Sequence, residues 1–426
     1  MRTLLIITVV GLALRVAWWW IAHPEPVSDF LGYRSIAIRM VTDGVYTRGG
    51  VTTAFRTPGY PAFLGLGLWI WQSDRWLSLL NVFVATAAIP LSAWCAIRLG
   101  LSRQTALVTA ALVAILPTFV FWAPVLASEH LQVVILLVAW SMTCRTLTRR
   151  RAIGVGVLYG VAILVRPESV FFLLAVPVLL RVGATNWRRV VPLAAVVAVT
   201  AGLVVTPWYL RNEMVVGRGA GLSTSGGLNF YLAHREQGYR YVEPEFTPLR
   251  GLDEVAMNRR GYSLGLDLIR DHPADLIRTT LRYSYELYRA PTYVAHYSTR
   301  KNVGPPYRAG VSRSTVEWAK TVSWVGWVLT AGFAVVGTVS LAIRRGSRRR
   351  ALAGLLALVG ANWLCFAVVF WGMPRYRYAI EPVITMVAAA GIVALARRRR
   401  SQPREMGRVV EADQAPLGAG PPPFGQ

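Results

Sequence analysis

The chain has 426 residues, of which 54% are hydrophobic and only 16% charged, at a mean hydropathy of +0.43. A soluble domain carries about 25% charged residues, so a soluble globular protein is excluded. The net charge of +25, from 46 Lys+Arg against 21 Asp+Glu, would suggest nucleic acid in a soluble protein, but here the arginines fall in short clusters between apolar runs, as in the cytoplasmic loops of a membrane protein.

Crossing the hydrocarbon takes roughly 20 apolar residues. Runs at 3–22, 76–98, 105–123, 129–147, 152–165, 168–181, 190–207, 317–343, 351–371 and 378–396 predict an all-α polytopic membrane protein of about ten transmembrane helices. The first run could pass for a secretory signal, but it continues through Trp18, Trp19 and Trp20 with no small-residue cleavage site and reads as an uncleaved helix. Basic clusters follow every second crossing: Arg98/Arg103, Arg145/Arg149/Arg150/Arg151, Arg181/Arg188/Arg189, Arg344/Arg345/Arg348/Arg349/Arg350 and Arg397 to Arg400. The positive-inside rule places all five, and both termini, in the cytoplasm of a plasma or inner membrane. The fifth and sixth runs are short and flank Arg166-Pro167-Glu168, so they form a shallow hairpin that holds Arg166 and Glu168 at or below the outer interface.

Two long segments then lie outside. Residues 23–75, within an N-terminal module of 1–207, contain Asp29, Asp43, Arg56 and the turn Thr57-Pro58-Gly59-Tyr60-Pro61; Ala62 to Trp71 is apolar, too short to span, and suits an interfacial helix. Residues 208–316 are polar and rich in tyrosine and arginine, with a helical stretch from Leu264 to Tyr288 broken at His272-Pro273, and are expected to cap the external face. The last helices fill 317–400, and the Pro/Gly-rich tail 401–426 reads as disordered. An internal repeat, which a transporter of inverted halves would favour, is not evident.

Phosphate-loop, Rossmann and His-Glu-x-x-His signatures are missing, as is cysteine spacing for a disulfide framework or zinc site, since Cys95, Cys144 and Cys365 lie in or beside apolar runs. What remains is acid and arginine at the outer face. Asp29, where the first helix emerges, suits a general base taking a proton from an attacking hydroxyl, and equally an N-cap opening the helix that follows. Glu129, at the outer start of the fourth run, is a functional candidate because burying it unpaired is costly; Ser128 could instead make this a helix cap. The adjacent Ser128-Glu129-His130 cannot converge as a triad on one helix. Arg166, Arg211, Arg375 and Arg377 stand outside against the positive-inside trend, and their guanidinium forks suit a phosphate leaving group; snorkelling or pairing with Glu168, Glu213 or Glu381 is the alternative. The run Leu222 to Tyr231, with Ser225-Gly226-Gly227 and Asn229, suits sugar recognition or an ordinary turn.

In chain order, Ser28-Asp29 with Tyr33, Arg56-Thr57-Pro58-Gly59-Tyr60-Pro61, Ser128-Glu129, Arg166-Pro167-Glu168, Pro207-Trp208-Tyr209-Leu210-Arg211-Asn212, Ser225-Gly226-Gly227-x-Asn229, His272-Pro273 and Arg375-Tyr376-Arg377 resemble the polytopic GT-C glycosyltransferases, in the branch of protein mannosyltransferases and the lipid A aminoarabinose transferase. The likeness runs from the first helix to about residue 396. It implies transfer of a sugar from a polyprenyl-phosphate carrier to an extracytoplasmic acceptor, usually with inversion. Asp29 matches the proposed base, and Arg56 joins Arg166, Arg211, Arg375 and Arg377 as the groups expected near the carrier phosphate. Glu129, Tyr33 and Asn229 are expected to shape the acceptor site. Some relatives carry two adjacent acids in the first loop; here Ser28 precedes Asp29, so no obligatory metal and no cofactor are expected. The competing readings are a lipid-linked sugar flippase and a glycan polymerase or ligase using lipid-diphosphate donors; neither they nor the first reading call for nucleic acid.

Overall fold

The computed structural model describes residues 1–145, 147–183, 186–235, 248–301, 309–343 and 346–413, with side chains to residue 398. Its helices coincide closely with the apolar runs. Helix α1 spans Arg2–Ala22 and leads into the first long loop, which holds α2 (Asp29–Thr42), a two-residue hairpin of β1 (Thr47–Arg48) and β2 (Val51–Thr52), and α3 (Gly59–Ile70). As expected for an interfacial element, α3 buries Tyr60 and Leu64 and leaves Leu66, Trp69 and Ile70 outward.

The bundle continues with α4 (Asp74–Arg98), α5 (Arg103–Ile115), α6 (Pro117–Trp122), α7 (Glu129–Thr143) and α8 (Arg149–Val165), then a 3₁₀ stretch Pro167–Ala175 joined to α9 (Val176–Val182), and α10 (Trp187–Val215). The second long segment carries α11 (Gly226–His234), α12 (Glu254–Asp271), α13 (Pro273–Tyr288) and α14 (Tyr293–Ser298). Last come α15 (Arg313–Ala342), α16 (Ser347–Trp363) running into a π-helical turn Leu364–Val369, and a 3₁₀ turn Pro374–Ile380 that opens α17 (Glu381–Asp413). Pro273 stops α12 and starts α13 where the sequence placed the break, because a proline has no N–H to donate and sits best in a first helical turn. Asp253 caps α12 through the N–H groups of Val255 and Ala256, so that helix begins ten residues before the expected Leu264.

Two expectations change. Among the described residues, six helices are long and apolar enough to cross a membrane on their own, not ten. The third expected span is broken at Leu116-Pro117, the fourth is the short α7, and the fifth and sixth comprise α8 and the 3₁₀ and α9 pieces. The final helix is described to Asp413; residues 414–426, and of the basic clusters Arg344 and Arg345, lie outside the described residues.

Of the six long helices, α4 and α17 are the most buried, while α1, α10 and α15 turn most of their apolar surface outward, as lipid-facing helices do. Arg15 is an exception on α1. It is fully buried, and its guanidinium donates to Gly11 O, Val113 O and Ala114 O, closing carbonyls at the end of α5 that the break at Pro117 leaves without helical partners.

Candidate active site

Six side chains of alternating sign meet at the end of the bundle where the two long segments lie. Asp29 is the first residue of α2. Ser28 before it holds φ at 53°, a left-handed setting that non-glycine residues rarely adopt, and makes no side-chain cap. The Asp29 carboxylate turns away from the helix end: Oδ1 accepts from Arg56 Nη2 at 2.6 Å and Oδ2 from Arg375 Nη1 at 3.3 Å. Arg375 Nε donates at 2.5 Å to Glu129 Oε1, which Arg166 Nη1 also meets at 3.0 Å. Arg166 completes the row by pairing with Glu168 and donating to Ser128 Oγ. Three arginines and three carboxylates thus cancel in formal charge, with Glu129 and Arg375 buried and the Asp29 side chain retaining 38% exposure.

Each arm of this row has a local cause. Arg56 follows a stretch whose backbone is held from several sides. Glu254, in the first turn of α12, accepts from Thr53 Oγ1 and Ala54 N, both at 2.7 Å. Thr224 N donates to Ala54 O, Ser223 Oγ to Phe55 O and Tyr46 Oη to Arg56 O. The Arg56 guanidinium lies 5.0 Å from the Tyr33 ring centroid and that of Arg375 4.8 Å from Phe30, where the aromatic faces favour the cation. Burial alone would push the Asp29 carboxyl up, but Arg56 and Arg375 outweigh it and hold the group below the ordinary 3.8.

A cavity of about 370 Å³ opens onto this row. Its floor has Asp29, Tyr33, Arg56, Arg166, Glu168 and Arg375; its far wall has Ser223, Ser225, Asn229, Asn258 and Tyr262; Phe171, Phe366, Phe370 and Trp371 supply an apolar side. Glu129 stands one layer behind the floor.

Two sequence-derived sites are corrected. Arg211 is not on the cavity. It donates to Thr53 O and Asn212 Oδ1 and lies against Tyr46 and Trp208, so it braces the Arg56-bearing stretch from outside. Arg377 is fully buried, bonded to Glu381, Leu287 O and Arg289 O with its guanidinium 3.6 Å from the Trp327 ring centroid. A 3₁₀ turn has three residues per turn, so two positions on from Arg375 points to another side. His130 also faces away from the row, bonded to Trp122 O and Tyr378 Oη. Gly226-Gly227 is no turn but the start of α11, at its crossing with α12. A Cβ on Gly227 would come 1.8 Å from Asn258 O, and one on Gly261 2.4 Å from the Gly227 backbone, so only glycines fit there. Sequence reasoning missed Asn258, Tyr262 and Glu254, which no motif marked.

Residues 56–210 match the family described as dolichyl-phosphate-mannose-protein mannosyltransferase. No curated protein matches the chain in sequence. In fold, the oligosaccharyltransferase of Archaeoglobus fulgidus in its apo form aligns at a TM-score of 0.56 and 14% identity, over 96% of this chain and 52% of that one. The same enzyme tethered to an acceptor peptide aligns at 0.54 and 13% identity, over 93% of this chain and 49% of that one. The chain therefore spans about half the length of the oligosaccharyltransferase it matches. ArnT from Cupriavidus metallidurans, bound to undecaprenyl phosphate, aligns over 90% of this chain and 77% of that one at 14% identity and a TM-score of 0.43. The resemblance to the polytopic GT-C glycosyltransferases thus holds in the sequence of residues 56–210, the fold is shared with the oligosaccharyltransferase, and among the described residues six helices are long and apolar enough to cross a membrane.

Proposed function

We propose that this protein is a glycosyltransferase that moves a sugar from a polyprenyl-phosphate carrier to an extracytoplasmic acceptor, with inversion. The observation that supports it most is Asp29: a carboxylate open to the cavity, whose two oxygens meet the two arginines best placed to receive a phosphate. Asp29 takes the proton of the acceptor hydroxyl as that oxygen attacks the anomeric carbon. The bond from that carbon to the phosphate oxygen breaks, its electron pair stays on the phosphate, and the departing charge is met by Arg56 and Arg375. The donor phosphate draws on the same guanidinium groups that bind Asp29 in the empty site. Donor binding therefore frees the carboxylate and raises its basicity when it is needed. Neutrality of the six-residue row suits a singly charged phosphodiester, which adds only one anion to it.

The test is incubation of purified protein in nanodiscs with a panel of polyprenyl-monophosphate sugars and mixed acceptors, scoring transfer and the lipid left behind. The expected product is polyprenyl monophosphate in step with glycosylated acceptor. Turnover with diphosphate-linked glycans alone would overturn the reading in favour of a ligase. Passage of the lipid-linked sugar across a vesicle membrane without transfer would overturn it in favour of a flippase.

Two further outcomes are expected. Because the arginines hold Asp29 below 3.8, the base is ionised in the free enzyme throughout the ordinary range, and kcat/KM should stay flat with falling pH until below about pH 4. An acid limb centred near pH 6 would contradict the assignment. Glu254→Ala should raise KM for the lipid donor about tenfold with kcat nearly kept, the worth of one to two hydrogen bonds to a charged group, because it unfastens the stretch that presents Arg56. Glu254→Gln, which retains an acceptor for Ala54 N, should recover most of it.

A further inference from the structure

The charged floor of the cavity and its far wall differ in kind. Among the described residues, every ionised group that lines the cavity belongs to the first long loop, the α8 turn or the turn before α17, and the wall built by α11 and α12 holds none. The crossing of these helices at Gly227 and Gly261 is what shapes that wall: with the backbones in contact, Asn258 and Tyr262, one turn apart on α12, and Asn229 on α11 all line the same space.

Their hydrogen-bonding capacity is not spent inside the protein. Asn258 Oδ1 accepts from Gly227 N at 2.7 Å, which fixes the amide and leaves its nitrogen to donate elsewhere. Among the described residues, the Asn258 nitrogen, the Asn229 amide and the Tyr262 hydroxyl have no protein partner. The Tyr262 ring is fixed by Phe230 at a centroid separation of 5.4 Å. By contrast, Ser223 and Ser225 on the same wall bond each other, and Ser223 also bonds Phe55 O. Three oriented polar groups with open valences beside a charged floor need partners from a ligand, and their mix of amide donors, amide acceptor and hydroxyl matches a ring of hydroxyl groups.

We infer that Asn229, Asn258 and Tyr262 form the subsite for the transferred sugar, and that this sugar is uncharged and rich in hydroxyls rather than an amino or acidic sugar. The inference rests on the reading above that the floor receives a lipid-linked phosphate. Among the described residues, an ammonium or carboxylate on the ring would meet no counter-charge on this wall.

The experiment is equilibrium binding in nanodiscs of three probes: polyprenyl phosphate alone, polyprenyl phosphate bearing a neutral hexose, and the same lipid bearing a 4-amino-pentose. Asn229→Ala and Tyr262→Phe, which leave the helix crossing intact, should each weaken the hexose-bearing lipid about tenfold and leave the bare carrier within twofold. Asn258→Asp keeps the acceptor for Gly227 N and adds a negative charge, so it should shift preference about tenfold toward the amino sugar. If the bare carrier binds and the variants leave the hexose lipid unchanged, or if the wild type prefers the amino sugar, the subsite is overturned while the phosphate reading stands. If the wild type binds no probe, both fall.

Discussion

Asp29→Asn is expected to lower kcat by about 10²- to 10⁴-fold, the usual worth of a positioned general base. The amide is isosteric and keeps an oxygen for Arg56, but it removes one negative charge from the row, so bare-carrier affinity should be kept or raised and the loss should appear in kcat rather than KM. Thermal melting and bare-carrier binding on the same preparation separate a silent site from a damaged one. A variant that folds, binds carrier and turns over at the wild-type rate would remove Asp29 from the chemistry.

Arg375→Gln has the other large effect, and it is as much about the fold as about the reaction. Arg375 is the link between the open carboxylate and the buried one: it meets Asp29 on one side and Glu129 on the other. Its removal leaves Glu129 buried with Arg166 alone, and Glu129 Oε2 already has no partner among the described residues. Breaking a buried pair in this way costs about 3–5 kcal/mol. The expected result is a clear drop in melting temperature together with loss of turnover. Adding Glu129→Gln should restore part of the melting temperature without restoring activity, because a neutral amide needs no counter-charge. Equal melting of the single variant and the wild type would show that the row is not a structural unit.

Helix positions were legible because apolar length is a direct consequence of hydrocarbon thickness, and that signal survives any detail of packing. The depth of individual pieces was not, since Leu116-Pro117 and the Arg166-Pro167 turn break runs that read as continuous or as a simple hairpin. Asp29, Arg166 and Arg375 could be nominated from their place at helix ends and Arg56 from the resemblance, and the fold brings them to one cavity. Arg211 and Arg377 carried the same signal for a different reason: each closes backbone carbonyls at loop or helix ends, a demand that depends on tertiary packing and leaves no trace in spacing. The opposite error hid Asn258 and Tyr262. They sit in an amphipathic helix whose polar positions all look like solvent until α11 is laid across it. Gly227 and Gly261, more than 30 residues apart, reveal themselves as one contact only in three dimensions.

Arg15 bears on how the chain enters the bilayer. Helix α1 is made before α5, and until α5 follows its guanidinium has only Gly11 O of its own helix to bond; the carbonyls of Val113 and Ala114 lie 98 and 99 residues further on. A lone arginine at mid-helix costs about 2.5–3.5 kcal/mol on insertion scales. Helix α1, whose most apolar 18-residue stretch has a mean hydropathy of 2.0 with Arg15 included, is apolar enough to carry it, but the helix gains its lasting hold only when the broken end of α5 arrives. The interruption at Pro117 is therefore a receptor within the chain for α1, and synthesis of one completes the anchoring of the other.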